Sequence, residues 1–276
     1  MITFREKKLK MVWEMSKDGF TSFLVGTAHF FPYSFKESLI HLISKADVTL
    51  FEGPLDENNM EAVREYGVAR QDGMSLYDSL DEKTIAELNK ELGESAEFSG
   101  CSLSSYISVF KREHSDLLSQ EIGGLRPWMA FFKLWSHYLA KRGWKHSVDL
   151  EALSVSRKLG KKVVFLETIE EQLTALDGIP FERIVTYLSN FRNWGKFSRH
   201  HEKQYLKGSL DSLLNIISGF PTRCPSIVEH RDPVFFTRMR PYVEAGNAVV
   251  FLGTTHIQGI VKMLEQEGFK VSQYSK

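Results

Sequence analysis

A six-residue pattern that occurs twice constrains this chain more than any other feature. Leu24-Val-Gly-Thr-Ala-His29 and Phe251-Leu-Gly-Thr-Thr-His256 both read apolar-apolar-Gly-Thr-x-His, with the two histidines 227 residues apart. Each copy closes an apolar run of strand character and precedes a helical pattern. Glycine allows a sharp turn and close backbone approach. The histidine then stands at the carboxyl end of a strand beside a helix amino terminus, where open α/β sheets build their sites. If the two strands are neighbours and parallel, the two imidazoles face one crevice. The expected fold class is α/β, with a central, mostly parallel sheet carrying pseudo-repeated strand–Gly-Thr-x-His–helix units.

The rest of the chain supports that class. Residues 11–29 read as a hairpin turning at Ser16-Lys-Asp-Gly19. Ser34 and Glu37 have capping-box spacing ahead of a helix, and Val48–Phe51 reads as a buried strand, making a β-turn-α-β unit and a parallel pair. Residues 55–145 look helical almost throughout, with breaks near Gly73, Gly93–Gly100 and Gly123-Gly124, and are read as an insertion or lid over the sheet. Further strands are expected at Lys162–Leu166 and Ala248–Leu252, with helices at about 147–159, 170–218 and 234–245 and another after His256. Continuous apolar strands separated by helices argue for a sheet covered on both faces.

Composition mostly excludes. Thirty-five basic residues balance thirty-five acidic ones over 276 positions, so a nucleic-acid binder working through a broad basic field is not expected. Eight prolines and the absence of a Pro/Gly/Ser-rich linker favour one domain over 1–276. Two cysteines, Cys101 and Cys224, form neither a CxxC motif nor a disulfide framework and read as inert small residues. No apolar run approaches the roughly 20 residues of a membrane span, and the charged start precedes no signal-like apolar region. The expectation is a cytoplasmic protein. GxSxG, GxGxxG and P-loop patterns are missing, and His201-Glu202 fails as HExxH because position 205 is tyrosine. The basic run from Lys196 to Lys203 reads as a solvated helix face, and Phe131, Phe132, Trp135 and Tyr138 read as packing.

Two further residues stand where the histidines stand. Glu52 follows the Val48–Phe51 strand, and Glu167 follows the Lys162–Leu166 strand. Two imidazoles and a carboxylate at strand ends, His29, His256 and Glu52, make a candidate set of ligands for a divalent transition metal with open positions. Glu167 also fits an ordinary acidic helix start.

The paired motifs, Glu52, Leu166-Glu-Thr-Ile-Glu-Glu-Gln172, His230-Arg231 and Gly259 together resemble the TraB/PrgY/GumN family, which includes the Tiki metalloproteases. Val12-Trp-Glu and Arg126-Pro-Trp128 also fit, so the resemblance spans nearly the whole chain. Over 55–125 it extends only to helical character. It implies a metal-dependent hydrolase fold related to erythromycin esterases and haem-binding ChaN-like proteins. In Tiki members the corresponding histidines and glutamate support peptide cleavage with Mn²⁺ or Co²⁺.

Together these readings predict a hydrolase of peptide or other acyl bonds. His29, Glu52 and His256 would hold Mn²⁺, Co²⁺ or Zn²⁺. Glu167 is the candidate general base or orienter of a histidine. Arg231 is the candidate donor to an oxyanion or a substrate carboxylate. The alternative is a protein that sequesters a peptide signal or haem without turnover.

Overall fold

Asp18 and Gly19 adopt positive φ of 51° and 83°, the mirror-image turn whose twist suits a two-residue hairpin. They join β1 (Val12–Lys17) to β2 (Phe20–Thr27), with Lys17 opposite Phe20. The computed structural model describes residues 7–54, 57–69, 75–96 and 116–274. After the hairpin come α1 (Lys36–Ser44) and β3 (Val48–Phe51). A helical stretch follows, with α2 (Glu57–Tyr66), α3 (Glu82–Ala96), α4 (Leu117–Ile122), α5 (Pro127–Lys141) and α6 (Val148–Lys158). β4 (Lys162–Phe165) leads into α7 (Ile169–Asp177), α8 (Phe181–Ser189), α9 (Trp194–Lys207) and α10 (Leu210–Ile216). The chain finishes with α11 (Asp232–Ala245), β5 (Ala248–Gly253), α12 (Thr254–Gln266) and β6 (Lys270–Gln273).

The strands form one six-stranded sheet in the order β4-β3-β5-β2-β1-β6. β4, β3, β5 and β2 run parallel; β1 pairs antiparallel with β2, and β6 pairs antiparallel with β1 at the edge. The fold is α/β with a mostly parallel sheet, as expected from the two motifs. Every residue of β3, and Ala248–Leu252 of β5, is buried. Since successive side chains point to opposite faces, both faces of these central strands are covered. Phe51 and Phe251, opposite one another, stack with centroids 5.0 Å apart.

Several local expectations change. β2 and β3 are parallel but not adjacent: β5 lies between them and pairs with both. The Ser34/Glu37 capping box does not form. α1 begins at Lys36 after Phe35, without a side-chain cap, and Ser34 Oγ accepts the Lys36 N–H at 3.3 Å. The reciprocal box is made at α7 instead, where Thr168 and Glu171 satisfy each other's backbone N–H groups. α3 runs through Gly93 to Ala96. Gly73, Gly100 and Cys101 lie outside the described residues. β6 carried no sequence signal strong enough to be expected: it is short, and Lys270, Ser272 and Gln273 are exposed. Cys224 is a buried free thiol beside the Ser226 hydroxyl. Among the described residues no helix is long and apolar enough to cross a membrane.

Candidate active site at the carboxyl ends of the parallel strands

Four parallel strands end on the same edge of the sheet, and each delivers one expected residue there. The two motifs do not do so identically. Gly26 pairs with Leu252 and Thr27 with Gly253, a one-residue offset. After β5 the chain turns directly into α12, so His256 sits in the helix's first turn and is 1% exposed. After β2 it runs on through a bend before α1 starts, which leaves His29 on a loop. The Gly26 carbonyl accepts a hydrogen bond from Tyr205 Oη at 2.7 Å. Tyr205, the residue that spoils the HExxH pattern, thus pins the first motif from α9. Arg223 Nη1 holds the second motif, donating to the Thr255 carbonyl at 2.9 Å and lying 3.1 Å from its hydroxyl.

Each imidazole faces an aspartate through Nδ1. His256 Nδ1 lies 2.6 Å from Asp232 Oδ1, and His29 Nδ1 lies 3.0 Å from Asp149 Oδ2. Asp232 opens α11 and Asp149 lies in the first turn of α6, and both are buried. For His256 the carboxylate accepts and the imidazole donates, so Nδ1 carries the proton and Nε2 is turned away from Asp232. His29 meets Asp149 as an ion pair without hydrogen-bond alignment, and Asp149 Oδ2 has no hydrogen-bond partner among the described residues. The negative charge of Asp149 outweighs burial and lifts the His29 pKa to about 9. The His29 side chain is 65% exposed and lines a cavity. Neither aspartate was singled out in the sequence. Asp232 reads as an ordinary helix-start acid next to Pro233, and nothing local couples it to a histidine 24 residues on.

Arg231 gathers the two glutamates. Its Nη2 lies 2.8 Å from Glu52 Oε2 and 2.6 Å from Glu167 Oε1, while Nε donates to Glu167 Oε2 at 2.9 Å. Nη1 lies 3.5 Å from His256 Nε2. Glu52 Oε1 accepts the Gly253 N–H at 2.5 Å and lies 3.8 Å from His256 Nε2. Burial alone would raise the Glu52 pKa, but His256, Arg231, His29 and the Gly253 N–H together hold it down at about 2. Glu167 shifts upward, because burial outweighs the opposing Arg231. Burial works against the Arg231 charge, but its two carboxylates prevail and raise its pKa. Glu167 lies behind Arg231 and makes no hydrogen bond to either histidine among the described residues.

The residue types are those a divalent transition ion takes, two imidazoles and a carboxylate, and His256 has its Nδ1 taken by Asp232, as ligating histidines do. The spacing is open. Glu52 and His256 face each other, His29 stands apart beside Asp149, and no three such groups gather around one point among the described residues.

These residues line part of a cavity of about 1290 Å³. Thr27, His29, Glu52, Arg231 and Gly253–His256 make its polar end, and aromatic side chains from α5, α8 and α9 make much of the remaining wall. The expected packing residues divide accordingly. Phe131 and Tyr138 are buried in the core, whereas Phe132 and Trp135 line the cavity beside Trp128. The basic run on α9 is not simply a solvated face, since Lys196, His200 and His201 also line the cavity. His201 sits among the Phe31, Trp144 and Tyr205 rings, and burial lowers its pKa to about 4.

The TraB/PrgY/gumN family model matches residues 11–273, both motifs and all the residues above included. No curated protein matches the chain.

Proposed function

The chain belongs to the TraB/PrgY/gumN family, and from that premise we propose that it is a hydrolase of peptide or other acyl bonds, acting through a water held between His29, Glu52 and His256. The observation that carries this reading is the pair of imidazoles lining one cavity, His256 hydrogen-bonded through Nδ1 to buried Asp232 and His29 ion-paired with buried Asp149. Such anchoring orients a ring and makes Nε2 more basic, as a water-activating or ligating histidine needs.

His29, Glu52 and His256 would hold a divalent transition ion, Mn²⁺, Co²⁺ or Zn²⁺. When bound, it supplies Lewis acidity and lowers the pKa of its water. His29 must lose a proton before its Nε2 can serve as a donor. Arg231, fixed by Glu52 and Glu167, keeps Nη1 on the His256 side, where it can donate to the oxygen of a carbonyl under attack. The contacts of Glu167 make it the anchor of that guanidinium. Helices of the 55–145 stretch supply Val63, Arg64, Trp128 and Leu139 to the cavity wall, in keeping with a lid that selects the substrate.

The test is a panel of peptides and esters incubated with the protein and added Mn²⁺, Co²⁺ or Zn²⁺, reading released amines and acids. The expected result is cleavage that His256→Ala abolishes in a protein that still folds. Turnover equal in wild type and variant, or none with any ion, overturns the reading. The size and apolar wall of the cavity favour a second reading, sequestration of a peptide or haem without turnover. It would show saturable binding with no product, and for haem a Soret band.

A further inference from the structure

We propose that the α9 wall of the cavity is a carboxylate-binding subsite centred on Lys196, and that the substrate is a peptide ending in an apolar residue with a free carboxyl group. This rests on the hydrolase reading for the word substrate, but the binding claim stands on its own observations.

The lining is unbalanced in charge. Among the described residues its lysine and arginine side chains are Arg64, Lys133, Lys196 and Arg231, His29 beside Asp149 is a further cation, and Glu52 is its one carboxylate. Three of the four lysines and arginines are already paired: Arg64 with Glu61, Lys133 with Glu121, and Arg231 with Glu52 and Glu167. Lys196 has no acidic partner among the described residues. Asn193 and His200 lie three residues before and four after it, on the same helical face, and both line the cavity. A flexible ammonium flanked by an amide and an imidazole suits a carboxylate.

The same cavity is rich in aromatic side chains. Phe197 stacks near Tyr187, which contacts Trp135 and Phe220, and all four line the cavity. A cavity that holds a carboxylate on Lys196 therefore also offers a berth to an apolar side chain, as the last residue of a peptide presents them.

The experiment uses the peptide Gly-Ala-Leu-Phe as free acid and as C-terminal amide. Binding is read from quenching of tryptophan fluorescence in the full chain at low salt, since Trp128 and Trp135 line the cavity. New amino termini are counted in parallel. The free acid is expected to bind about tenfold more tightly than the amide, the worth of one charge-assisted hydrogen bond. Lys196→Gln should remove the preference while leaving amide binding unchanged, and Lys196→Arg should retain it. Equal binding of acid and amide, no binding of either, or a preference that survives Lys196→Gln overturns the proposal. Preferential binding of the acid without cleavage would count against the hydrolase reading alone, and cleavage without the preference against this subsite alone.

Discussion

The Asp232 carboxylate bonds His256 Nδ1 in a space that exists only because residue 259 is glycine. A Cβ at that position would overlap the carboxylate itself. Three parts of the chain, the start of α11 and two sites one turn apart on α12, are therefore committed to orienting one imidazole.

Asp232→Asn, which keeps the volume and removes the charge, should lower either metal affinity or turnover about 10- to 100-fold. Gly259→Ala should do the same by displacing the carboxylate. Dissociation constants for Co²⁺ and kcat, measured on variants with wild-type circular dichroism, check both. An effect below about threefold in each variant would mean that the aspartate does not orient the ring.

His29 sets a pH dependence. Its pKa of about 9, raised by Asp149, leaves on the order of 1% of it neutral at pH 7. Ion binding through Nε2 must release that proton, so affinity should rise about tenfold per pH unit from 7 and flatten above 9. Asp149→Asn should move the plateau down toward the ordinary histidine range near 6.5. The ion pair's contribution to folding runs the other way. It is fully present below about pH 6.5 and lost as pH rises through 9. Calorimetric titration with Mn²⁺ in buffers of different ionisation heat reads the proton release directly.

Glu52 has the opposite sign. Its pKa is held at about 2, so its pairing stabilises the fold above the ordinary carboxylate range near 4.5 and fades as pH falls through 2. In Glu52→Gln, the part of the acid destabilisation that lies between those values should shrink. Urea midpoints at pH 7, 4 and 2.5 measure it. A variant that loses as much stability over this interval as wild type would show that Glu52 is not held ionised.

Removing Arg231 strands two carboxylates that are largely buried: the Glu52 and Glu167 side chains are 12% and 2% exposed. Arg231→Met should cost about 3 kcal/mol in urea unfolding at pH 7, and adding Glu167→Gln should recover part of it. If the double variant is no more stable than the single one, the guanidinium is not what compensates Glu167.

Tyr205→Phe leaves the buried Gly26 carbonyl without its partner, which should cost about 1–2 kcal/mol. The same unfolding measurement reports it, and His29, three residues on, should show altered metal affinity.

His29, Glu52, Glu167 and His256 could be found in the sequence because each directly follows an apolar strand. Parallel strands bring all such positions to one edge whatever their order. That order itself was not legible. The repeated motif raised β2 and β5 as neighbours, but nothing near Val48 says that β5, two hundred residues later, will also pair with β3 and separate it from β2, because pairing is decided by which buried faces complement each other. Asp149 and Asp232 were hidden for a related reason. Both sit where an acid favours any helix start, and their contacts reach 120 and 24 residues along the chain. The polar side of α9 could be identified, but periodicity tells polar from apolar and not whether the polar side meets bulk water or a cavity. Lys196, His200 and Tyr205 acquire meaning only from what faces them.

The position of β5 between β2 and β3 bears on how the molecule is made. During synthesis, β2 and β3 leave the ribosome long before the strand that joins them, and until then each carries an open backbone edge. Glu52 and His256 cannot meet during that interval, so a nascent chain has no assembled centre. Such distant pairing is slow to form, and a chain stalled before Ala248 would expose two unfilled strand edges to quality control instead of a half-working cleft.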